Sequence, residues 1–580
     1  MKLKSIILGT MAFAGFGLTS CVDSFLDTMP DNRVELKSPE HLRLLMNTAY
    51  PSSNYAIVCE FSTDNVIDNN SPDEEGLRYN LPSYNRGDEE QFAWEDVKSN
   101  TDNDSPSAVW EAYYASIAAA NAVLEKIDEF EALPKEQLVE LDGYENLDAL
   151  RGEALVLRAY DHFILANIFC EAYRGPELSK NILGIPYITK PETTVKPHYE
   201  RGNLADVYAN IQKDIEAGLP LINNGMYEIP KYHFNTQAAN AFAARFYLFI
   251  RDYKKALAHA NEAFGGADVD PSQYMSTIWQ NLDTFFWIKD FGLFANNIDK
   301  PRNFMLLATY SIACRRYSGG QRYACAREAK RSTIQGPGPT WEVFRYRSSN
   351  GKGETFSMNP CFNGACGVNG KAEYGTYFAG TSAEQFEIKD KIAQTGFAHV
   401  TRSEFNGEET LLTRAEAKLF LGDIAGCIAD LKIWEESHHG SSSHLSSGTD
   451  YTEFTENCVR DFYQSDERAG DYGIVKPIHL DEVFPSDEYS VTDNILPILQ
   501  CVQHFRRIET VHTGLRWFDI KRFGLEITHK IGKNRVETLT KFDPRRAVQI
   551  PTEVISAGFQ ANPRGEEASK ADIEYCIPVK

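Results

Sequence analysis

Apolar side chains recur at helical spacing along most of this sequence, and this periodicity restricts the chain to a mainly helical fold. In the segment 109–127, Trp110, Tyr113 and Ile117 are three or four residues apart, as on one face of a helix. The same spacing predicts helices over 147–173, 203–219, 236–264, 410–434 and 502–523. Each such helix has one apolar face, so the fold must pack helix against helix.

Two of these segments contain a turn and a second helix that resemble a tetratricopeptide repeat (TPR). Tyr253 is followed by Ala256 and Ala263, small residues that allow paired helices to approach closely. Gly422 can adopt the left-handed conformation that ends a helix, and Cys427 follows in the next helix. The alternative is a coincidence between alanine-rich helices. The predicted fold class is mainly α, with TPR-like helix pairs that form a superhelical scaffold.

Helical periodicity fades between Gly265 and Phe405, where Gly, Pro, Asn and Ser become dense. The segments 336–341 and 348–360 are typical of this composition. The sequence therefore predicts a long, loop-rich lobe inserted between helical blocks at 265–405. Long irregular stretches in compact proteins are often functional.

The first residues resemble an export signal with a lipid attachment site. Lys2 and Lys4 precede an apolar run over 5–18, which is too short for a permanent membrane helix of about 20 residues. Leu18-Thr19-Ser20-Cys21 resembles the lipobox of bacterial lipoproteins, in which the cysteine carries the acyl chains. We therefore expect residues 1–20 to be a signal peptide and Cys21 to hold a lipid anchor. The alternative is an ordinary signal peptide with a chance cysteine.

Charge and cysteine usage restrict the possible partners. The formal net charge is −23, and such an acidic body repels phosphate backbones, so we expect no nucleic-acid partner.

None of the 11 cysteines has the spacing of a zinc ribbon or finger. Cys170 and Cys427 fall on apolar helix faces, where a free cysteine acts as a small hydrophobe. Local disulfides remain open for four cysteines of the insert, namely Cys314, Cys325, Cys361 and Cys366.

Sequence motifs for catalysis are absent. The chain has no G-x-S-x-G, H-E-x-x-H, Walker or G-x-G-x-x-G motif. Asp102, Asp104 and the acidic stretch 68–75 carry oxygens that calcium could use, but neither segment fits an EF-hand loop. We therefore expect no enzyme, no cofactor and no bound metal.

Short motifs follow one another over nearly the whole length of the chain. They are FLD and Pro30 at 25–30, W..Y...I..AN at 110–121, RGEA...RAY..F at 151–163, GIPY at 184–187, RAEA....GD at 414–423, RRIE at 506–509, GLRWFDIKRFG at 514–524, and IP.E with NP at 550–563. In this order the motifs resemble the SusD/RagB family, the surface lipoproteins of Bacteroidetes nutrient-uptake systems. Thr513 and Phe523 depart from the Glu and Trp that are usual in the family.

The resemblance implies a SusD-like N-terminal helical region over 21–264 and a RagB/SusD C-terminal region over 265–580. It also implies an outer-membrane lipoprotein, facing the cell surface, that lies like a lid over a SusC-like TonB-dependent transporter. Such a protein captures a glycan for polysaccharide utilisation without catalysis. Alternatives are a peptide-binding uptake lipoprotein, a TPR-type scaffold for protein partners, and a surface hydrolase.

Two groups of aromatic residues are candidates for ligand contact. On the predicted helix 502–523, Trp517 is expected in the core, and Arg516 and Asp519 in buried or interfacial ion pairs. Loop aromatics are better candidates because flat rings stack on the C–H faces of sugars. The candidate platform is Trp94, Trp287, Trp341 and Tyr346, and for each of them a role in anchoring its loop to the core is equally expected.

Overall fold

The computed structural model describes most of the chain beyond the predicted signal segment. The described residues are 36–73, 76–99, 102–192, 199–277, 288–317, 321–334, 336–341, 366–368, 371–376, 382–438, 453–486 and 488–564. The predicted signal peptide and Cys21 lie outside them.

Helices are the main regular elements of the described structure. In the first half they are α1 (Pro39–Met46), α2 (Ala56–Glu60), α3 (Arg86–Phe92), α4 (Pro106–Glu131), α5 (Lys135–Leu138), α6 (Leu147–Phe169), α7 (Leu204–Gly218), α8 (Thr236–Phe249) and α9 (Tyr253–Phe264). In the second half they are α10 (Ile288–Ala295), α11 (Ala313–Arg316), α12 (Arg327–Arg331), α13 (Gly407–Phe420), α14 (Ile424–Ser437), α15 (Glu456–Tyr463), α16 (Leu480–Val483), α17 (Leu496–Glu509), α18 (Leu515–Arg522) and α19 (Thr552–Ser556).

Short strands accompany the helices and pair in small antiparallel sheets. They are β1 (Ile67–Asp68), β2 (Asn303–Tyr310), β3 (Tyr323–Ala324), β4 (Cys366–Val368), β5 (Lys371–Thr376), β6 (Ser382–Asp390), β7 (Thr395–Asn406), β8 (Ile527–Ile531) and β9 (Arg535–Leu539). The order β2-β7-β6 gives a three-stranded sheet, and β1-β3, β4-β5 and β8-β9 are two-stranded.

The predicted TPR-like turns are confirmed. Between α8 and α9, the Asp252 side chain accepts a hydrogen bond from the Lys255 amide and starts the second helix. Between α13 and α14, Gly422 has a φ of +85° and Asp423 caps α14 by accepting from the Gly426 amide. Consecutive helices therefore pack as hairpins, and the mainly α, TPR-like fold class is confirmed.

One apolar core runs through both halves of the chain. Helix α6 lies at its centre between α4 and α7, and nearly every residue from Gly152 to Phe169 is buried. The ring of Tyr160 on α6 contacts Phe234, Phe242 on α8 and Phe405 at the end of β7, with centroids 5.6–5.8 Å apart. The helices therefore share a core with the sheet, and the division at residue 264 stays a prediction.

Two glycines set the close approach of α6 and α7. A Cβ at Gly152 would lie 2.7 Å from the Leu221 Cβ and 2.9 Å from the Gly218 carbonyl oxygen. A Cβ at Gly218 would lie 2.8 Å from the Gly152 carbonyl oxygen. Because two of these three contacts are to backbone, a larger residue at either position must push the helices apart.

We expect Gly152→Ala to lower the free energy of unfolding by about 1–2 kcal/mol, because overpacking costs more than the helix propensity that alanine adds. Urea unfolding of the purified chain measures the change. Glu125→Ala, on the exposed face of α4, is the control, and we expect its effect to stay within about 0.5 kcal/mol. An increase in the free energy of unfolding for Gly152→Ala would contradict this prediction, because it would show that α6 and α7 can move apart without losing stability.

The insert at 265–405 contains more regular structure than its composition predicts. Strand β7 pairs with β2 on one side and β6 on the other. The inward side of β7 carries Ala398 and Val400 and then the charged residues Arg402 and Glu404. Arg402 and Glu404 form a buried ion pair, and the Tyr55 hydroxyl donates to Glu404 at 2.9 Å. This ion pair interrupts the apolar alternation that would otherwise predict a strand.

The packing role predicted for the aromatic helix is confirmed. Trp517 on α18 is completely buried. Arg516 donates two hydrogen bonds to the Asp64 carboxylate, and Asp519 accepts one from Arg506 and one from Arg522. The helix therefore joins other elements through buried ion pairs rather than offering a free aromatic face.

The cysteines that the structure describes with side chains are free thiols. They include Cys314 and Cys325, while Cys361 lies outside the described residues. Cys170 and Cys427 are buried among apolar residues, which confirms their prediction as small hydrophobes. Within the described part of the chain, no helix is both long and apolar enough to span a bilayer.

Candidate functional site

The structure places Trp94 beneath the surface, two residues after α3. Its ring is 5% exposed, and its Nε1 donates to the Ser62 carbonyl oxygen at 3.0 Å. The indole stacks on the His529 imidazole with centroids 4.1 Å apart, and Phe92 stacks on the other face of that imidazole. Trp94 therefore has the loop-anchoring role that the sequence left open, and the exposed face that a sugar would need is not available.

Trp341 is also buried, at the end of a described segment of the insert. Its ring is 6% exposed, and its Nε1 donates to the Gly336 carbonyl oxygen at 3.0 Å. It packs against His504 and Phe505 on α17. The other two candidates, Trp287 and Tyr346, lie outside the described residues.

A pocket of about 290 Å³, which we call the basic pocket, lies next to the loop of Trp94, although neither tryptophan lines it. His529, which stacks on Trp94, forms one wall, and Arg507, two residues after Phe505, forms another. Asp64, Tyr472 and Lys476 line it as well, and the exposed Thr528 and Lys530 form its rim. Sequence reasoning did not find this pocket, although it did predict that the loop around Trp94 and the insert contribute to a site.

Three cations converge on one carboxylate in the basic pocket. Arg516 donates to both oxygens of Asp64, through Nε at 2.9 Å and Nη2 at 3.0 Å. Lys476 Nζ and Arg507 Nη2 lie 3.4 and 3.5 Å from the same Oδ2. The other hydrogen bonds of Arg507 go to neutral acceptors, namely the Asn65 side chain and the backbone oxygens of Asp64 and Ser332.

The charges in the basic pocket shift the pKa values of its members. Burial alone would raise the pKa of Asp64, but Arg507, Arg516 and Lys476 hold it well below its usual value. Burial lowers the pKa of Lys476, and it lowers that of Arg507 to about 10, so Arg507 stays charged at neutral pH. Burial also lowers the pKa of His529 to about 4, so this imidazole is neutral.

This arrangement suits binding better than proton transfer. Asp64 is held ionised by three cations, so it cannot act as a general acid near neutral pH. Glu328, the other carboxylate that lines the pocket, is exposed and lies 3.8 Å from Arg327 Nε. Fixed N–H donors on Lys476 and Arg507 instead offer hydrogen bonds to oxygen atoms of a ligand.

Glu60 is a buried acid directly behind the pocket. Its Oε1 accepts hydrogen bonds from Asn65 Nδ2 at 3.1 Å and from the His512 amide at 2.9 Å. Burial raises its pKa from 4.5 to about 7, which exceeds the lowering effect of these hydrogen bonds. A folded-state pKa above the unfolded value means that stability is lost as pH rises from about 4.5 through 7.

We expect Glu60→Gln to raise the free energy of unfolding by about 1–3 kcal/mol at about pH 8 and to change it little at about pH 5. Glutamine keeps the oxygen that accepts both hydrogen bonds and removes the charge that burial disfavours. Urea unfolding at the two pH values measures the difference. Exposed Glu125→Gln is the control, and an equal change at both pH values for Glu60→Gln would contradict the raised pKa.

A second, larger cleft of about 410 Å³ lies against α4 on another part of the surface. Trp110 and Tyr114 form its floor with ring centroids 4.8 Å apart, and Tyr199 and Phe559 line its sides. The Tyr114 hydroxyl donates to the Pro186 carbonyl oxygen at 3.0 Å. We call this the aromatic cleft.

The aromatic cleft uses residues of the segment 109–127, whose spacing predicts helix packing. Trp110 and Tyr114 are one turn apart, and the neighbouring Ala115 and Ala118 are exposed. The lining is mainly apolar, with the exposed Lys190 and Glu192 at its edge, so this cleft offers fewer hydrogen bonds than the basic pocket.

Comparisons with known proteins agree on one family. Residues 24–248 match the SusD-like family model, which is described as starch-binding and associating with the outer membrane. No curated protein sequence matches this chain. Among solved structures, SusD superfamily proteins from Bacteroides thetaiotaomicron and Bacteroides fragilis share the fold, with TM-scores of 0.55 and 0.56 at 16% and 15% identity.

Both structural alignments cover 90% of this chain, with 99% of the first protein and 98% of the second. At such low identity these structures establish the fold, whereas the sequence match extends over the N-terminal helical region. Residues 24–248 are thus similar in sequence to the SusD-like family, and the chain has the fold of SusD superfamily structures.

Proposed function

We propose that the chain is a non-catalytic surface lipoprotein that binds a glycan and delivers it to a SusC-like TonB-dependent transporter. The observation that carries this proposal is the match of residues 24–248 to a family described as starch-binding and associating with the outer membrane. The fold supports it, since it is the fold of SusD superfamily proteins. The lipobox-like segment that ends at Cys21 supports attachment to the membrane.

We assign glycan binding to the basic pocket because sugar hydroxyls need hydrogen-bonding partners as well as an apolar surface. Lys476 and Arg507 supply donors, and Tyr472 supplies a half-buried ring at the edge. In this proposal Trp94 and Trp341 support the pocket from behind, through His529 and α17, rather than touching the ligand. Trp287 and Tyr346 remain candidates for direct contact.

Titration calorimetry of the purified chain against a panel of neutral and acidic glycans tests the binding function. Binding that is lost in Lys476→Gln with an unchanged melting temperature would support the basic pocket. Binding that is lost in Tyr114→Ala alone would move the site to the aromatic cleft. Peptide binding without glycan binding would replace the proposal with peptide uptake.

Delivery to a transporter and attachment to the membrane need separate experiments. Pull-down from the native membrane should recover a TonB-dependent transporter with the wild-type chain. Cys21→Ala should abolish incorporation of labelled fatty acid and release the chain from the membrane fraction. A TPR-type scaffold role would instead recover other partners, with no glycan bound.

A further inference from the structure

The basic pocket concentrates positive charge in a protein that is strongly acidic overall. The chain has a formal net charge of −23, so a local excess of cations is contrary to its composition. Such a pocket attracts anions locally, while the surrounding surface repels densely charged polymers. This combination favours a ligand that carries isolated negative groups.

Within the described residues, the cations of the pocket outnumber its anions. Asp64 is the carboxylate shared by Arg516, Lys476 and Arg507, so one charge neutralises only one of three. Arg507 has only neutral acceptors for its shorter hydrogen bonds. The next carboxylate, Glu60, is fully buried behind the pocket, where burial favours its protonated form.

The other walls do not cancel this excess. His529 is neutral at physiological pH, and Lys530 adds a further exposed cation at the rim. Glu328 on α12 is the opposing acid, but it is exposed to solvent and lies beside Arg327. Solvent therefore screens the charge of Glu328, and Arg327 partly compensates it, so its effect on the pocket is weakened.

Lys476 is the cation that a ligand can reach directly. Its side chain is 25% exposed, whereas that of Arg507 is 3% exposed and lines the pocket. An ammonium group has three N–H donors, and Asp64 occupies only one side of it. A negative group entering the pocket would therefore find Lys476 and Arg507 beside each other, with the Tyr472 ring at its edge.

We propose that the basic pocket binds an acidic sugar residue, with Lys476 and Arg507 as the contacts of its anionic group. The anionic group is a uronate carboxylate or a sugar sulfate ester. Both groups present several oxygen atoms to paired cations, in a plane for the carboxylate and in a tetrahedron for the sulfate. The pocket volume of about 290 Å³ lies at the small end of ligand sites, which suits one residue of a longer chain. This inference rests on the proposed glycan-binding function.

Titration calorimetry compares oligogalacturonate with its fully methyl-esterified form, and chondroitin sulfate with its desulfated form. We expect at least one acidic probe to bind about tenfold or more tightly than its ester-blocked or desulfated form, with an affinity that falls as NaCl is raised. Lys476→Gln should lose about tenfold in affinity for that probe. Lys135→Gln, an exposed lysine on α5, removes the same charge elsewhere and should bind as the wild type does.

The outcomes separate this inference from the proposed function. A neutral glycan that binds as well as the acidic probes, and equally well in Lys476→Gln, overturns the acidic specificity and leaves glycan capture standing. Failure of all glycans, charged and neutral, overturns glycan capture itself. Equal losses in Lys476→Gln and Lys135→Gln would assign the effect to net charge and not to the pocket.

Discussion

Replacing Asp519 by alanine is expected to lower the free energy of unfolding by about 3–5 kcal/mol, because two buried guanidinium groups lose their shared carboxylate. Asp519 accepts from Arg506 Nε at 3.0 Å and from Arg522 Nε at 2.8 Å, and all three side chains are buried. Arg522 also donates to Glu416 on α13, so the cluster joins α13, α17 and α18. Urea unfolding of the purified chain measures the loss.

The cost arises from desolvation and not from the number of ion pairs. A surface pair such as Glu177 and Lys180, 2.8 Å apart but mostly exposed, has water as an alternative partner. Glu177→Ala is therefore the control, and we expect a change within about 0.5 kcal/mol. If Asp519→Ala cost no more than this control, Arg506 and Arg522 would have to find other partners inside the core.

The helical part of the fold could be predicted from sequence because its signals are local. Ala256, Gly422 and Cys427 fall at the positions that a TPR-like hairpin requires, and the structure forms hairpins there. Trp517 has helical spacing and lies in the core. In each case a few neighbouring residues determine the local geometry, so no knowledge of distant contacts is needed.

The sheet of the insert could not be predicted in the same way, because its strand pattern depends on a distant partner. Arg402 and Glu404 face inward on β7, where an alternating strand would carry apolar residues. They are tolerated because they pair with each other, and because Tyr55, far away in sequence, donates to Glu404 and lies under the Arg402 guanidinium. Buried charges that satisfy one another remove the periodicity on which a sequence prediction depends.

The candidate site could be predicted only in part. The sequence predicts contacts at Trp94, in a polar loop, and at Trp341, in the irregular insert, and Trp94 lies behind a wall residue of the basic pocket, His529. Their rings are buried because each indole N–H is satisfied by a nearby carbonyl, which fastens the loop to the body. The cations are separated by hundreds of residues from Asp64, so no local pattern could show their convergence.

Helix α18 connects the core to the candidate site. Asp519 on this helix holds Arg506 and Arg522, and Arg516, one turn earlier, reaches Asp64 at the pocket. The Asp64 carboxylate, which Lys476 and Arg507 also contact, is therefore held by the same helix that stabilises the body. A ligand that binds there meets donors whose positions are already set, which lowers the entropic cost of binding.

Asp64→Asn should destabilise the chain by about 3–5 kcal/mol, because Arg507, Arg516 and Lys476 then share no negative charge. Part of this loss should be recovered in sulfate, since an anion that binds the folded pocket and not the unfolded chain stabilises by mass action. Urea unfolding in sodium sulfate and in sodium chloride at equal ionic strength measures the recovery.

Sulfate also stabilises most proteins by exclusion from their surface, so the recovery needs a matched control. Asp519→Asn removes a carboxylate from a buried cation pair that lies in the core and does not line the basic pocket. We expect sulfate to restore clearly more of the lost free energy of unfolding in Asp64→Asn than in Asp519→Asn. If sulfate restored the free energy of unfolding equally in the two variants, its effect would be general exclusion from the protein surface. The excess cations near Asp64 would then not form an anion site.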